Sequence, residues 1–416
     1  MKNNDLSQWL PCQNYCQMNG AAAAVLSFSD TRVVLNGPSW CSLVAERELM
    51  AYNRTLQRRL YSSHVEQPDL LFGTGEKIRD LAEELQRSHP DTSLLAVLTS
   101  CSLGLIGDDV KGIVSAMEQV YPIIALDAGG LTGLFEEGYQ AAMLAMLEKI
   151  NLQPCDAVNP KRVNLLGYCG YHPDSSGDLI ELKRLLESAG FETGVCPGEH
   201  GLKLRELEKL PRAALNIVLS PGLGLQTAKF LKEKTGTEYA VLPAPYGINQ
   251  TLEWLKRTGE RLSLQPDLTQ LKQEAGVMQE NIAEEVGALK RIVANLRFRE
   301  AVLDLPDSQS QALAAALQNG ILEVEKVVHD TQGNLSGNGE PWLPSDYRLL
   351  FGTFADRMRT GDYEHTVYIN MNKADGLIRC KCKTFVGLEG WGFLIEEIVE
   401  QILTLYYLKE ERRRPL

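Results

Sequence analysis

The chain has 416 residues, a net charge of −12 and a hydrophobic fraction of 44%. That length exceeds one ordinary domain and predicts two or three, with enough apolar residues for several cores. The negative balance argues against nucleic acid or an anionic membrane as the main partner, and no stretch approaches the ~20 apolar residues of a membrane span. The start, Met1-Lys2-Asn3-Asn4-Asp5, has no apolar signal segment, so a cytoplasmic location is expected. Thiols stay reduced there, and the nine cysteines read as metal ligands, redox groups or small buried residues rather than disulfides. The basic runs Arg58-Arg59 and Arg412 to Arg414 are short and read as solvated surface.

In chain order, Thr31 to Leu35 reads as a strand ending at Asn36-Gly37-Pro38. Leu70-Leu71-Phe72 reads as another, ending at Gly73-Thr74-Gly75 before a helix over Lys77 to Arg87. Leu94 to Leu98 and Pro122 to Leu126 supply two more strands, and a helix from Phe135 to Leu152 closes this region. A second series runs from Arg162 to Gly167, through a helix over Gly177 to Ala189, a strand over Ala214 to Leu219 and a helix near Leu225 to Thr235, to Tyr239–Leu242. Leu252 to Leu296 is almost wholly helical in pattern and reads as a bridge. A third series follows, with strands at Phe298 to Leu303, Tyr347 to Phe351 and Thr366 to Ile369. Its helices are Ser308 to Gln318 and Gly392 to Leu408, and the Gly-, Pro-, Asn- and Ser-rich stretch Thr331 to Pro344 is a loop. Strands alternating with helices of this length mean parallel sheets covered on both faces. The expected fold is α/β, with three doubly wound, Rossmann-like units around a central cleft. Their expected limits are 1–157, 158–255 and 297–416, with the helical bridge at 256–296.

The most telling stretch runs from Leu98 to Asp109. A cysteine, Cys101, ends a buried strand, and a glycine-rich turn with two acids opens the amphipathic segment Val110 to Val120. A thiol is thereby placed at the carboxyl edge of a parallel sheet, near a helix start where amide dipoles favour a thiolate. Cys16 and Cys41 lie in loop-like stretches with a glycine nearby, and three thiols so placed suggest a metal cluster. Asp108 and Asp109 read as helix-start caps. Cys169 ends a strand at Gly167-Tyr168-Cys169-Gly170, where it is a candidate pocket residue or a plain turn position. His172 and His200 sit in glycine-flanked loops, Cys380-Lys381-Cys382 is a close pair without a companion pair, and Trp391 precedes a helix as a core aromatic or a pocket cap. Cys155 and Cys196 have no metal spacing and read as packing residues. Gly73-Thr74-Gly75 lacks the Gly-Lys-Ser or Gly-Lys-Thr element of a P-loop, so any ATP hydrolysis belongs to a separate partner.

With these motifs in this order, the chain resembles the nitrogenase component 1 family, which includes the molybdenum-iron protein subunits, their cofactor-assembly paralogues and the nitrogenase-like tetrapyrrole reductases. The matching motifs are Cys16 in its loop, Asn36-Gly37-Pro38-Ser39-Trp40-Cys41, Phe72-Gly73-Thr74-Gly75-Glu76-Lys77 and Thr99-Ser100-Cys101 through Asp109. Val163-Asn164-Leu165-Leu166-Gly167 and Gly387-Leu388-Glu389-Gly390 match as well, so the resemblance spans nearly the whole chain. It implies that Cys16, Cys41 and Cys101 ligate an iron–sulfur cluster, 4Fe–4S or larger, shared with a second component 1-type subunit, homologous or identical. Cys12, four residues before Cys16, is a candidate substitute ligand or a spare thiol. The resemblance also implies an ATP-dependent iron protein as electron donor and an oxidoreductase activity.

Two departures qualify it. Where the cofactor-bearing nitrogenase subunit has its cofactor cysteine and histidine, this chain has Ser220 and Val386. The expectation is therefore a subunit of a nitrogenase-like two-component reductase that relays electrons to a substrate or cofactor. The alternative is a cofactor-assembly scaffold or a non-catalytic paralogue with the same cluster.

Overall fold

The computed structural model describes residues 16–50, 59–117, 122–150, 152–171, 175–318, 320–329, 342–352, 354–371 and 383–413. Cys12, His172, Cys380 and Cys382 lie outside them. The fold is mixed α/β with three parallel four-stranded sheets. By internal contacts the chain gathers into two compact units, one holding Cys12–Tyr171 with Thr193–Val241, the other His172–Glu192 with Leu242–Leu416.

The former unit carries two sheets. The first is built from β1 (Thr31–Asn36), β2 (Leu60–Ser62), β3 (Leu94–Thr99) and β4 (Ile123–Asp127), in the order β2-β1-β3-β4. Every residue of β1 and β3 is buried, as expected for central parallel strands covered on both faces. The second sheet comprises β5 (Asn159–Leu166), β6 (Glu192–Thr193), β7 (Ala213–Val218) and β8 (Glu238–Val241), in the order β6-β5-β7-β8. The third sheet lies in the other unit and orders its strands β10 (Val327–His329), β9 (Arg297–Leu303), β11 (Asp346–Gly352) and β12 (Thr366–Asn370).

The helices around the first sheet are α1 (Gln17–Leu26), α2 (Ser39–Met50), α3 (Gln67–Phe72), α4 (Gly75–Ser88), α5 (Cys101–Ile106), α6 (Val110–Met117) and α7 (Phe135–Lys149). Next come α8 (Ser175–Ser188), α9 (Pro221–Thr235), α10 (Ile248–Leu262) and α11 (Thr269–Ile292). The third sheet is accompanied by α12 (Asp307–Gln318), α13 (Phe354–Thr360) and α14 (Gly387–Arg413).

Helix α1 is alanine-rich and apolar on every side, and residues from Met18 to Leu26 are all buried. Such a helix has no solvent face and lives inside a core. It packs on α7 backbone to backbone. A Cβ at Gly20 would lie 1.8 Å from the Phe135 carbonyl oxygen, and one at Gly138 would lie 1.8 Å from that of Gln17. Only glycine permits this approach.

Two local readings are corrected. Leu70-Leu71-Phe72 is the end of helix α3, not a strand. Pro68 sits in its first turn, and the Asp69 carboxylate accepts a hydrogen bond from the Glu66 amide, both of which start a helix. The edge strand is instead Leu60–Ser62, which pairs with β1. The turn expected after Cys101 is also helical. Helix α5 starts at the cysteine and ends where Gly107 turns left-handed at φ 74°, before α6 begins.

The α1–α7 contact generates a prediction. Gly138→Ala is expected to lower unfolding free energy by about 1–3 kcal/mol, because the added methyl meets backbone that cannot yield. Gly276→Ala, on α11 with open space around it, is expected to raise it by about 0.5–1 kcal/mol. Urea unfolding of the two variants measures both, and equal effects would contradict the packing described.

Candidate functional site

The carboxyl ends of β1, β3 and β4 bring Cys41, Cys101 and Cys16 to one edge of the first sheet. Cys16 stands at the start of α1 and is bridged to Leu134 in the loop after β4. The Gln17 amide donates to the Gly133 carbonyl at 3.2 Å, and the Cys16 thiol faces the Ala128 carbonyl at 3.8 Å. Cys41 lies in the first turn of α2, beyond the Asn36-Gly37-Pro38 turn, and Cys101 opens α5. All three thiols are free and half-buried.

Glycines set the distances between these loops. A Cβ at Gly129 would stand 3.0 Å from the Cys101 sulfur, and one at Gly130 would stand 3.2 Å from the Cys16 sulfur. The Gly129-Gly130 pair thus lies against two of the three thiols. A Cβ at Gly37 would meet Ser100 at 2.7 Å, so the β1 and β3 loops approach only because Gly37 is bare backbone. Among the described residues no three His, Cys, Asp or Glu side chains gather as ligands of one ion. The thiols are spread over three loop ends.

A buried polar network ties the same loops together. Asn36, fully buried at the end of β1, donates to the Thr74 hydroxyl at 2.9 Å and accepts from the Ser63 hydroxyl at 2.8 Å. The Gly37 amide donates to the Ser63 hydroxyl at 3.2 Å, and the Thr74 amide and hydroxyl both donate to Asp108. Asp108 therefore spans from the β3 loop to the start of α4, while Asp109 accepts from the Gly112 amide at 2.9 Å and caps α6. The capping role expected of the two acids is met by Asp109, and Asp108 fastens loops.

Burial favours the thiol over the thiolate at Cys16 and at Cys41. Burial pushes the Cys16 thiol above its ordinary pKa, with Cys101 and Glu48 adding repulsion, while the Met18 and Asn19 amides pull the other way. Burial also raises Cys41, helped by the charges of Cys16 and Cys101. Cys41 feels both Cys16 and Cys101, and Cys16 feels Cys101.

The rim around the thiols is apolar and exposed. Trp40 is 71% exposed, Leu71 80%, Phe72 87%, Leu105 76% and Leu131 72%. These side chains come from the loops and short helices after β1, β2, β3 and β4. Large apolar residues exposed together, rimming a polar site, mark an interaction surface. The rim escapes a sequence reading that places Leu70–Phe72 in a strand. The Asn36–Ser63–Thr74–Asp108 network and the Gly129-Gly130 pair escape it too, although a glycine pair directly after a buried strand is a readable signal.

The remaining candidates lie away from the cysteine edge. Cys169 is buried in the core, and burial pushes its pKa up to about 12. His200 Nε2 lies 2.7 Å from the Gly170 carbonyl and its ring meets Tyr171 edge-on at 4.7 Å, which fixes a loop. Cys196 is buried and Cys155 half-buried. Trp391 is buried on α14 and lines a cavity of about 370 Å³ beside the start of α10. Ser220 precedes α9 at the end of β7, and Val386 is buried before α14.

Comparison with known proteins agrees with this fold. The sequence model described as "Nitrogenase component 1 type Oxidoreductase" matches residues 16–331. The chain is 26% identical over 297 residues to a nitrogenase iron-iron protein beta chain of Rhodobacter capsulatus, covering 65% of this chain and 62% of that protein. It is 23% identical over 429 residues to the nitrogenase iron-molybdenum cofactor biosynthesis protein NifE of Bradyrhizobium diazoefficiens, covering 96% and 75%. One subunit of a light-independent protochlorophyllide reductase of Chloroflexus aurantiacus is 30% identical over 202 residues, covering 49% and 36%. A solved structure named "Nitrogenase Cp1 at pH 5" superposes with a TM-score of 0.70 at 15% identity, over 97% of this chain and 90% of that one. Among the described residues no helix is long and apolar enough to cross a membrane.

Two measurements test the site as built. Asn36→Ala removes the centre of the network and leaves the buried Ser63 hydroxyl without its acceptor, so a loss of about 1–3 kcal/mol is expected in urea unfolding. In the metal-free chain the raised pKa values keep Cys16 and Cys41 protonated beyond the unfolded-state value of about 8.5. Their protonated state therefore stabilises the fold at neutral pH, and this contribution is lost as pH rises through the native values. Iodoacetamide labelling followed by peptide mass spectrometry should find both thiols slower than free cysteine between about pH 8 and 9. Rates equal to free cysteine would contradict it.

Proposed function

The chain belongs to the nitrogenase component 1 type oxidoreductases, and from that premise we propose that it is one subunit of a two-component reductase, holding an iron–sulfur cluster on Cys16, Cys41 and Cys101. One observation supports the reading: three free, half-buried thiols stand on three segments at the same edge of the first sheet, where large apolar side chains are exposed. The donor set fits the group. Thiolates are the ligands iron–sulfur clusters require, and Gly129 and Gly130 leave room beside two of the sulfurs that any Cβ would fill. When bound, such a cluster accepts and passes single electrons. The chain's own residues hold it at the surface, hydrogen-bond its surroundings and fix the loop geometry through Asn36, Thr74 and Asp108.

The remaining coordination is assigned to a second component 1-type subunit seated on the apolar rim. Electrons are assigned to an ATP-dependent iron protein, since this sequence carries no P-loop motif of its own. The reduced substrate or cofactor is left to the partner assembly. The aligned part spans 62% of the iron-iron protein beta chain. A second reading, a cofactor-assembly scaffold, is favoured by the breadth of the NifE match, which covers 96% of the chain.

Cys101→Ala, purified anaerobically with its partner, is expected to lose most of its iron per chain and its visible absorbance. Unchanged iron and spectrum would refute the ligand assignment. To separate the two readings, the wild-type complex is supplied with iron protein, ATP and reductant. Sustained substrate reduction marks an enzyme subunit, and transfer of a cluster to an acceptor without turnover marks a scaffold.

A further inference from the structure

A groove of about 720 Å³ lies in the unit that carries the third sheet, lined by none of the residues of the cysteine edge. Its floor is the segment after β8, Leu242-Pro243-Ala244-Pro245-Tyr246, and its walls are one face each of α10 and α12. On α12 the lining residues Ser308, Gln311, Ala312 and Ala315 recur at helical spacing, and three of the four are small. The small side chains leave the room that the groove occupies.

The walls are held in place by bonds that do not involve a ligand. Trp254 Nε1 donates to the Leu242 carbonyl at 3.2 Å, Gln309 donates to the Tyr246 hydroxyl at 2.7 Å, and Gln250 donates to the Ala315 carbonyl at 3.2 Å. Two prolines stiffen the floor. The volume and the apolar floor with a few polar groups at the margin are those of a preformed small-molecule site.

Charge decides the ligand class. Glu253 and Lys256 both line the groove and lie 3.6 Å apart, so they offset one another. Arg257, exposed one residue further on, lines the same groove and has no carboxylate partner among the described residues. A guanidinium in that position is suited to a carboxylate, which it can grip with two parallel hydrogen bonds.

We propose that this groove binds an amphipathic organic acid, its flat apolar body lying over Pro243, Pro245 and Trp254 and its carboxylate meeting Arg257. This site is independent of the cysteine edge and of the cluster assigned there.

The test titrates the full chain with 1-pyrenebutyrate and with the neutral 1-pyrenebutanol, followed by fluorescence anisotropy. The expected result is one saturable site per chain for the acid that disappears in Ala315→Trp, whose indole fills the groove from an exposed position. Arg257→Gln is expected to weaken the acid about tenfold while leaving the alcohol within twofold. Binding to the exposed apolar rim of the other unit responds to neither substitution, so it cannot imitate this pattern. The proposal is overturned if Ala315→Trp leaves stoichiometry and affinity unchanged, or if Arg257→Gln weakens acid and alcohol alike. Because Arg257 is exposed, its variant folds as the parent does, and circular dichroism confirms this before titration.

Discussion

The contact between α1 and α7 governs the cysteine edge more than any other. Helix α1 begins at Cys16, and its position is set where Gly20 and Gly138 let two backbones touch. Because α1 is buried from Met18 onward, its first residue cannot drift without moving a core helix. The same approach carries the loop after β4 past the thiol, so that Gly130 faces the Cys16 sulfur and Gly129 faces the Cys101 sulfur. One close packing between helices thereby fixes the separation of two ligand candidates and the room beside them. Cys41 is placed differently, by the Gly37–Ser100 approach and by the Asn36 network that holds the ends of β1, β2 and α4 together.

Much of this was legible in the sequence, for identifiable reasons. Central parallel strands are continuous apolar runs, so β1, β3, β7, β9 and β11 stand out from the sequence with ends correct to within a residue or two. Cysteines at the ends of such runs must lie at a carboxyl edge, and Cys41 and Cys101 do. What was not legible depends on tertiary context. Leu70-Leu71-Phe72 looks like a strand because apolar runs imply burial, yet these residues are exposed at the end of a short helix. Apolar character kept for a partner's surface is indistinguishable, in one sequence, from apolar character kept for a core. The edge strand Leu60–Ser62 escapes a sequence reading for the opposite reason, since it is three residues long and only half-buried.

The polar network shows a second limit of sequence reading. Asn36, Ser63, Thr74 and Asp108 are separated by up to 72 positions and share no periodicity. Each is ordinary alone. Together they satisfy one another in the interior, where an unpaired member would cost what a lost buried hydrogen bond costs. Their position beside the thiols also matters electrically. Burial raises both Cys16 and Cys41, with repulsion from Cys101 added at Cys16 and from Cys16 and Cys101 at Cys41, so ionising these two thiols is unfavourable without a compensating cation. An edge that resists ionisation when empty and gathers soft sulfur donors is one that a cationic iron–sulfur core would stabilise.

The start of α14 behaves in the opposite way. Glu181 of α8 is buried and accepts from the Leu388 and Glu389 amides at 3.0 and 3.3 Å, filling the anion position at that helix N-terminus with the chain's own carboxylate. Arg184 pairs with Glu181 at 2.7 Å and with Glu274 at 2.8 Å, so the carboxylate is neutralised from behind. A Cβ at Gly387 would stand 2.5 Å from Glu181 Oε1, and Val386 beside it is an aliphatic side chain with no lone pair to offer. This corner is a joint between α8, α11 and α14, closed by ion pairs that would have to break before a ligand could enter. The chain thus shows two contrasting helix starts: at α1 a thiol is presented inside an open apolar rim, and at α14 an internal carboxylate seals the position. Among the described residues the half-buried thiols Cys16, Cys41 and Cys101 lie at the first sheet, and the proposed cluster rests on them.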